Sequence, residues 1–90
     1  MRYAARVDAN QSEIVDALRA AGAYVFILGL PVDLLVGYKG KTVLVEVKDG
    51  PKKRLTSLQR VFFQNWTGDT ISRIDSVEAA LRLLKVIDES

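Results

Sequence analysis

A small α/β fold is what this sequence predicts: a four-stranded mixed sheet flanked by helices, in the order α-β-β-β-α-β-α. Three observations predict it. Apolar residues recur at helical spacing near both ends and once in the second half. Short β-branched and aromatic runs of strand length stand between them. Gly or Pro punctuates most of the junctions. Ninety residues suffice for one domain with one modest core.

The first helix rests on Ile14, Ala17, Leu18 and Ala21, with Gly22 as its stop and Asp8 or Asn10 as its cap. Tyr24 to Leu28 reads as a strand, and Gly29-Leu30-Pro31 interrupts it. Val32 to Tyr38 and Thr42 to Lys48 read as the next two strands. Thr56 opens a second helix, with Gln59 placed to complete a capping box and Gly68 to close it. Thr70 to Ile74 is a short strand. Ser76 caps a last helix whose buried stripe is Val77, Ala80, Leu81 and Leu84.

Composition removes several chemistries. The chain has no cysteine and no histidine, so disulfides, thiolate or imidazole metal sites and a Ser-His triad are excluded. Catalysis would rest on carboxylates, lysine, arginine and hydroxyls. The net charge of +2 permits a polyanionic partner without requiring one. No apolar stretch is long enough to span a bilayer, so no membrane partner is expected. The first residues lack the apolar run of a secretory signal, which points to a cytoplasmic protein.

Two acids stand out. If Lys39-Gly40 is a two-residue turn, Tyr38 faces Lys41. Counting back along both strands, Asp33 then faces Glu46, and alternation puts Leu35, Leu44 and Lys48 on their face of the sheet. Val32, Leu34, Val36, Val43, Val45 and Val47 form the other. Both faces are largely apolar, which predicts a sheet covered on both sides. Two carboxylates about 5 Å apart at an effective dielectric near 20 repel by roughly 3 kcal/mol. A hard cation with oxygen ligands, Mg²⁺ or Mn²⁺, would offset that, and Lys48 would steady charge building on a phosphate. The plain alternative is an ion cluster in which Lys48 offsets one acid.

Downstream, Lys52, Lys53 and Arg54 form a basic loop suited to the DNA backbone, with Arg2, Arg6 and Arg73 extending the track. The alternative is a solvated charged loop. Leu55, Leu58, Phe62, Phe63 and Trp66 make one broad helical face that contains Gln59. Phe63 and Trp66 read as core or subunit-interface residues before base-stacking ones. Gln59 either bonds Glu46 or Lys48 or serves only the capping box.

An Asp on one strand, a short hairpin and Glu-x-Lys on the next, behind a helix, resembles the PD-(D/E)XK nuclease superfamily. More narrowly, Val32-Asp33-Leu34-Leu35-Val36-Gly37, then Leu44-Val45-Glu46-Val47-Lys48-Asp49-Gly50, Leu55-Thr56, Gln59 and Ser76 to Leu81 resemble VRR-NUC domains over nearly the whole chain. Pro31 stands one residue further from the acid than in that family. The resemblance implies a restriction-endonuclease-like core over residues 1–90 and Mg²⁺- or Mn²⁺-dependent hydrolysis of phosphodiester bonds. It implies a homodimer acting on branched DNA such as Holliday junctions, in a bacterial or phage-infected cell.

By the same resemblance Asp33, Glu46 and the Val47 backbone carbonyl hold the metal, and Lys48 is the catalytic lysine. Gln59 supports the site, and a polar residue of the first helix joins it. Glu13 is the choice for that role. Asn10 competes for it, and is otherwise a nucleic-acid contact. Two further readings stay open: a DNA-binding module that does not cut, and an interaction protein whose acids only form salt bridges.

Overall fold

The computed structural model describes residues 9–48 and 56–90. Among the described residues seven elements follow in the expected order: α1 (Ala9–Ala20), β1 (Tyr24–Ile27), β2 (Leu34–Tyr38), β3 (Lys41–Val47), α2 (Ser57–Asn65), β4 (Ser72–Ile74) and α3 (Val77–Glu89). The basic loop residues Lys52, Lys53 and Arg54, the N-terminal Arg2 and Arg6, Leu55 and the proposed cap Asp8 lie outside the described residues.

The strands form one mixed sheet in the order β1-β2-β3-β4. The first two pairings are antiparallel and the third is parallel. Tyr38 pairs with Lys41 and Leu34 with Val45, so the hairpin has the expected register. Lys39 and Gly40 both have positive φ, at 49° and 81°. That turn geometry matches the natural twist of the flanking strands, which is why a two-residue loop suffices.

α1 is amphipathic for a simple reason: Ile14, Val15 and Leu18 fall on one side of the wheel, and all three are buried. Its end is a Schellman turn. Ala23 N–H donates to the Leu18 carbonyl and Gly22 N–H to the Arg19 carbonyl, both at 3.0 Å, with Gly22 at φ 104°. Asn10 lies inside the helix and does not cap it.

α1 and α3 cover one face of the sheet. Ile14, Leu18, Val36, Val45, Ala80 and Leu84 belong to a single buried cluster there. Each of the larger side chains among them contributes about 1.5–3 kcal/mol by leaving water. Ser76 caps α3 by accepting from Ala79 N–H at 3.1 Å. The buried stripe of α3 is Ala80, Leu84 and Ile87, while Leu81 turns outward. Lys41 Nζ reaches the Ser90 carbonyl and hydroxyl, fastening the hairpin to the end of α3.

The opposite face is not covered as expected. Tyr24 is 74% and Phe26 53% exposed. The cause is α2, which buries none of its residues and leaves Leu58 61% exposed. It touches this side near β4, where the Phe63 ring meets Arg73, and leaves the β1 end open. α2 also ends earlier than expected, at Asn65, with Trp66 already extended. Gly68 makes room for an aromatic ring and does not close the helix. A Cβ there would collide with the Trp66 indole, whose Nε1 donates to the Asp69 carbonyl at 2.6 Å. Among the described residues no helix is long and apolar enough to cross a membrane.

Candidate functional site

The site lies where β2 and β3 part. Strand pairing stops at Leu34↔Val45, so Asp33 and Glu46 stand just beyond the last paired rung. There side chains take over the hydrogen bonds of the ladder. Asp33 N–H donates to Glu46 Oε1 at 3.2 Å, and Val47 N–H donates to Asp33 Oδ2 at 2.7 Å. The Asp33 carbonyl accepts from Leu28 N–H at 2.8 Å and Gly29 N–H at 3.3 Å. Its main chain is thus held on both sides and its carboxyl is fixed against β3.

The Glu46 carboxyl is pushed up from 4.5 to about 7. Partial burial is the largest cause, because it penalises the charged form. The negative charge of Asp33 comes next. A hydrogen bond between the two carboxyl groups acts in the same direction, since one of them must carry the proton. The Asp33 backbone N–H and the Arg73 guanidinium pull the other way. The expected convergence of the two acids is therefore present.

Val47 N–H faces Asp33, whereas Lys48 N–H faces the Ile74 carbonyl at 2.8 Å. In an extended strand the N–H and C=O of one residue point the same way. The Val47 carbonyl therefore lies on the Asp33 side. Two carboxylates and a carbonyl are hard oxygen donors, the set that suits Mg²⁺ or Mn²⁺. Among the described residues no third acid joins the pair closely enough to make a larger cluster.

Glu13 does not reach these acids. It precedes Ile14, the residue that α1 turns inward, and so it points about 100° away, into solvent. Asn10 lies one turn before Ile14 on the inward side. Its Nδ2 donates to the Lys48 carbonyl at 3.2 Å. That tie was legible in principle, because i and i+4 share a face and Ile14 marks the buried one. Lys48 itself is exposed, directly after β3.

Gln59 does two things at once. Its carbonyl accepts from Thr56 N–H at 3.3 Å and Thr56 Oγ1 accepts from Gln59 N–H, completing the capping box. Its Nε2 donates to the Pro31 carbonyl at 3.1 Å. It thus braces the loop leading into Asp33, in place of the expected bond to Glu46 or Lys48. Arg73 pairs with Glu46 in the β3–β4 register, with its guanidinium carbon 5.4 Å from the centre of the Phe63 ring.

No protein-family model matches the chain, and neither curated proteins nor solved structures match it.

Proposed function

We propose that the chain is a Mg²⁺- or Mn²⁺-dependent nuclease that hydrolyses phosphodiester bonds of DNA. The observation that carries this reading is the clasp of Asp33 and Glu46 at the end of the hairpin, followed by Lys48. Two acids brought together at the cost of raising one of them to about 7 are arranged for a charge that outweighs theirs. With the sequence resemblance, the mixed sheet and its flanking helices support a restriction-endonuclease-like core of the VRR-NUC kind.

A divalent ion bound here would polarise the phosphate and acidify a water. The chain's own residues divide the remaining work. Asp33, Glu46 and the Val47 carbonyl supply ligands. Lys48 sets a positive charge beside the phosphate, where negative charge builds. Asn10 holds the Lys48 main chain, and Gln59 holds the loop before Asp33. Branched DNA is the substrate class that the resemblance favours. A two-fold dimer would supply two sites for two symmetric cuts. A solution mass of one 10.0 kDa chain would remove the dimer.

The hydrogen bonds themselves support a second reading. Each acid already accepts a backbone N–H, so the pair could act only as a structural clasp closing the strand end. One assay separates the two. Labelled junction, flap, single-stranded and duplex DNA are incubated with Mg²⁺, Mn²⁺ or EDTA. Metal-dependent cutting that disappears in Lys48→Ala supports the nuclease. Binding without cutting supports a DNA-binding module, and neither binding nor cutting leaves the clasp.

A further inference from the structure

We propose that Arg73 is the phosphate-binding residue of this site, held ready by the face of Phe63 and aimed along the row that carries Asp33 and Glu46. This inference rests on the phosphodiester reading above and gives it a substrate contact within the described residues.

Three observations meet at Arg73. The parallel register sets it directly beside Glu46, and alternation turns it away from the buried Ile74, toward the acids' side of the sheet. Its guanidinium carbon lies 5.4 Å from the centre of the Phe63 ring, within cation–π reach. The side chain is nevertheless exposed, and among the described residues the ion pair within 4 Å is Lys39–Asp88, not Arg73–Glu46. The guanidinium is therefore near the acids, steadied by a ring, and has not collapsed onto a carboxylate.

That placement suits a shared anion. A divalent ion on Asp33 and Glu46 would cancel their charge, and Arg73 would then have no acid to offset. Its planar fork of N–H donors matches two oxygens of one phosphate, which a lysine cannot match. The ring fixes the side chain beforehand, so less freedom is lost on binding. Phe63 is half-buried, as Gln59 and Phe62 are, and its ring is the one that meets Arg73.

The test is binding of fluorescent junction and single-stranded DNA across a salt series, with Ca²⁺ present, for the whole chain. Arg73→Gln is compared with Arg82→Gln, which removes the same charge from an exposed position on α3. Arg73→Gln is expected to weaken binding roughly three- to tenfold and to flatten the slope of log K against log salt by about 0.7–0.9, one phosphate contact. Arg73→Lys should keep the slope and lose part of the affinity. Phe63→Leu should lose affinity with the slope intact. A slope that Arg73→Gln leaves equal to that of Arg82→Gln overturns the proposal. So does a lowered melting temperature with unchanged binding, because Arg73 would then only offset Glu46.

Cleavage assays on the same proteins keep the two readings apart. Cutting by the wild type together with an unmoved slope removes the phosphate site alone. A flattened slope with no metal-dependent cutting removes the nuclease and leaves the phosphate site. A wild type that binds no DNA removes both.

Discussion

Asp33 and Glu46 are joined through the backbone as well as through charge: the N–H of Asp33 is donated to Glu46 Oε1 across the end of the hairpin. The two acids are therefore fixed together whether or not both are ionised, and their repulsion is built into the metal-free fold. Asp33→Asn keeps an oxygen to accept Val47 N–H and removes the charge. In EDTA at about pH 8 it should raise the melting temperature by several degrees, the equivalent of about 1–2 kcal/mol in a domain of this size. At about pH 5, where Glu46 is protonated, the gain should vanish. A thermal melt at both values reads the difference. An unchanged or lowered melting temperature at the higher value would count against a repulsive pair.

The raised Glu46 pKa fixes the sign of a pH effect. The folded value, about 7, exceeds the ordinary 4.5. Its contribution to stability is fully present below 4.5 and is lost as pH rises through 7. Metal-free protein should therefore lose about 1–3 kcal/mol across that window, allowing for solvent screening of a half-exposed group. A metal ion held by Glu46, as proposed, would displace the same proton. Calorimetry near neutral pH in buffers of different ionisation heat should then show proton release on Mg²⁺ or Mn²⁺ binding, and affinity should rise with pH until Glu46 is fully ionised. Binding heats that do not depend on the buffer would mean that Glu46 is not a ligand.

Local signals carried most of this geometry. The Lys39-Gly40 turn and strict alternation placed Asp33 against Glu46, because a two-residue turn fixes register for every rung behind it. Helical spacing placed Ile14, Leu18, Ala80 and Leu84 in the core, and Thr56 and Ser76 announced their helices by their chemistry. What stayed hidden depends on tertiary placement. The apolar face of α2 predicted burial, yet Leu58 remains 61% exposed and no residue of the helix is fully buried, although its Phe63 ring meets Arg73 of β4. Gly68 resembled a helix stop but serves the Trp66 ring. The partner of Gln59, the Pro31 carbonyl, lies in an irregular loop whose path no periodicity encodes.

Thr56 and Gln59 separate capping from site support. Thr56→Ala removes the side chain that accepts Gln59 N–H and should cost about 1 kcal/mol, as helix caps do, with little change in metal affinity. Gln59→Ala removes its half of the box and also the bond to Pro31. It should lower stability by a similar amount and weaken metal binding by roughly tenfold, the size of effect seen when a supporting partner of a ligand is lost. Equal metal affinities in the two variants, measured by titration, would confine Gln59 to the helix end.

Asn10 and Glu13 sit three residues apart on α1 and should behave oppositely. Glu13 is exposed, so Glu13→Gln is expected to change stability by less than about 0.5 kcal/mol and to leave the cutting rate unchanged. Asn10→Ala removes the bond to the Lys48 carbonyl. The loss of one partly exposed hydrogen bond should cost about 0.5–1 kcal/mol in stability. If Lys48 acts as proposed, the larger effect should be on the rate, because misplacing a catalytic group by a fraction of an ångström is costly. Single-turnover cutting should fall by roughly tenfold or more at saturating DNA, with the salt dependence of binding unchanged. Asn10→Asp would set a negative carboxylate against the carbonyl and should be slower still. If Glu13→Gln proves the slower variant and Asn10→Ala cuts normally, α1 serves the site from its outward side and the tie at Lys48 is only structural.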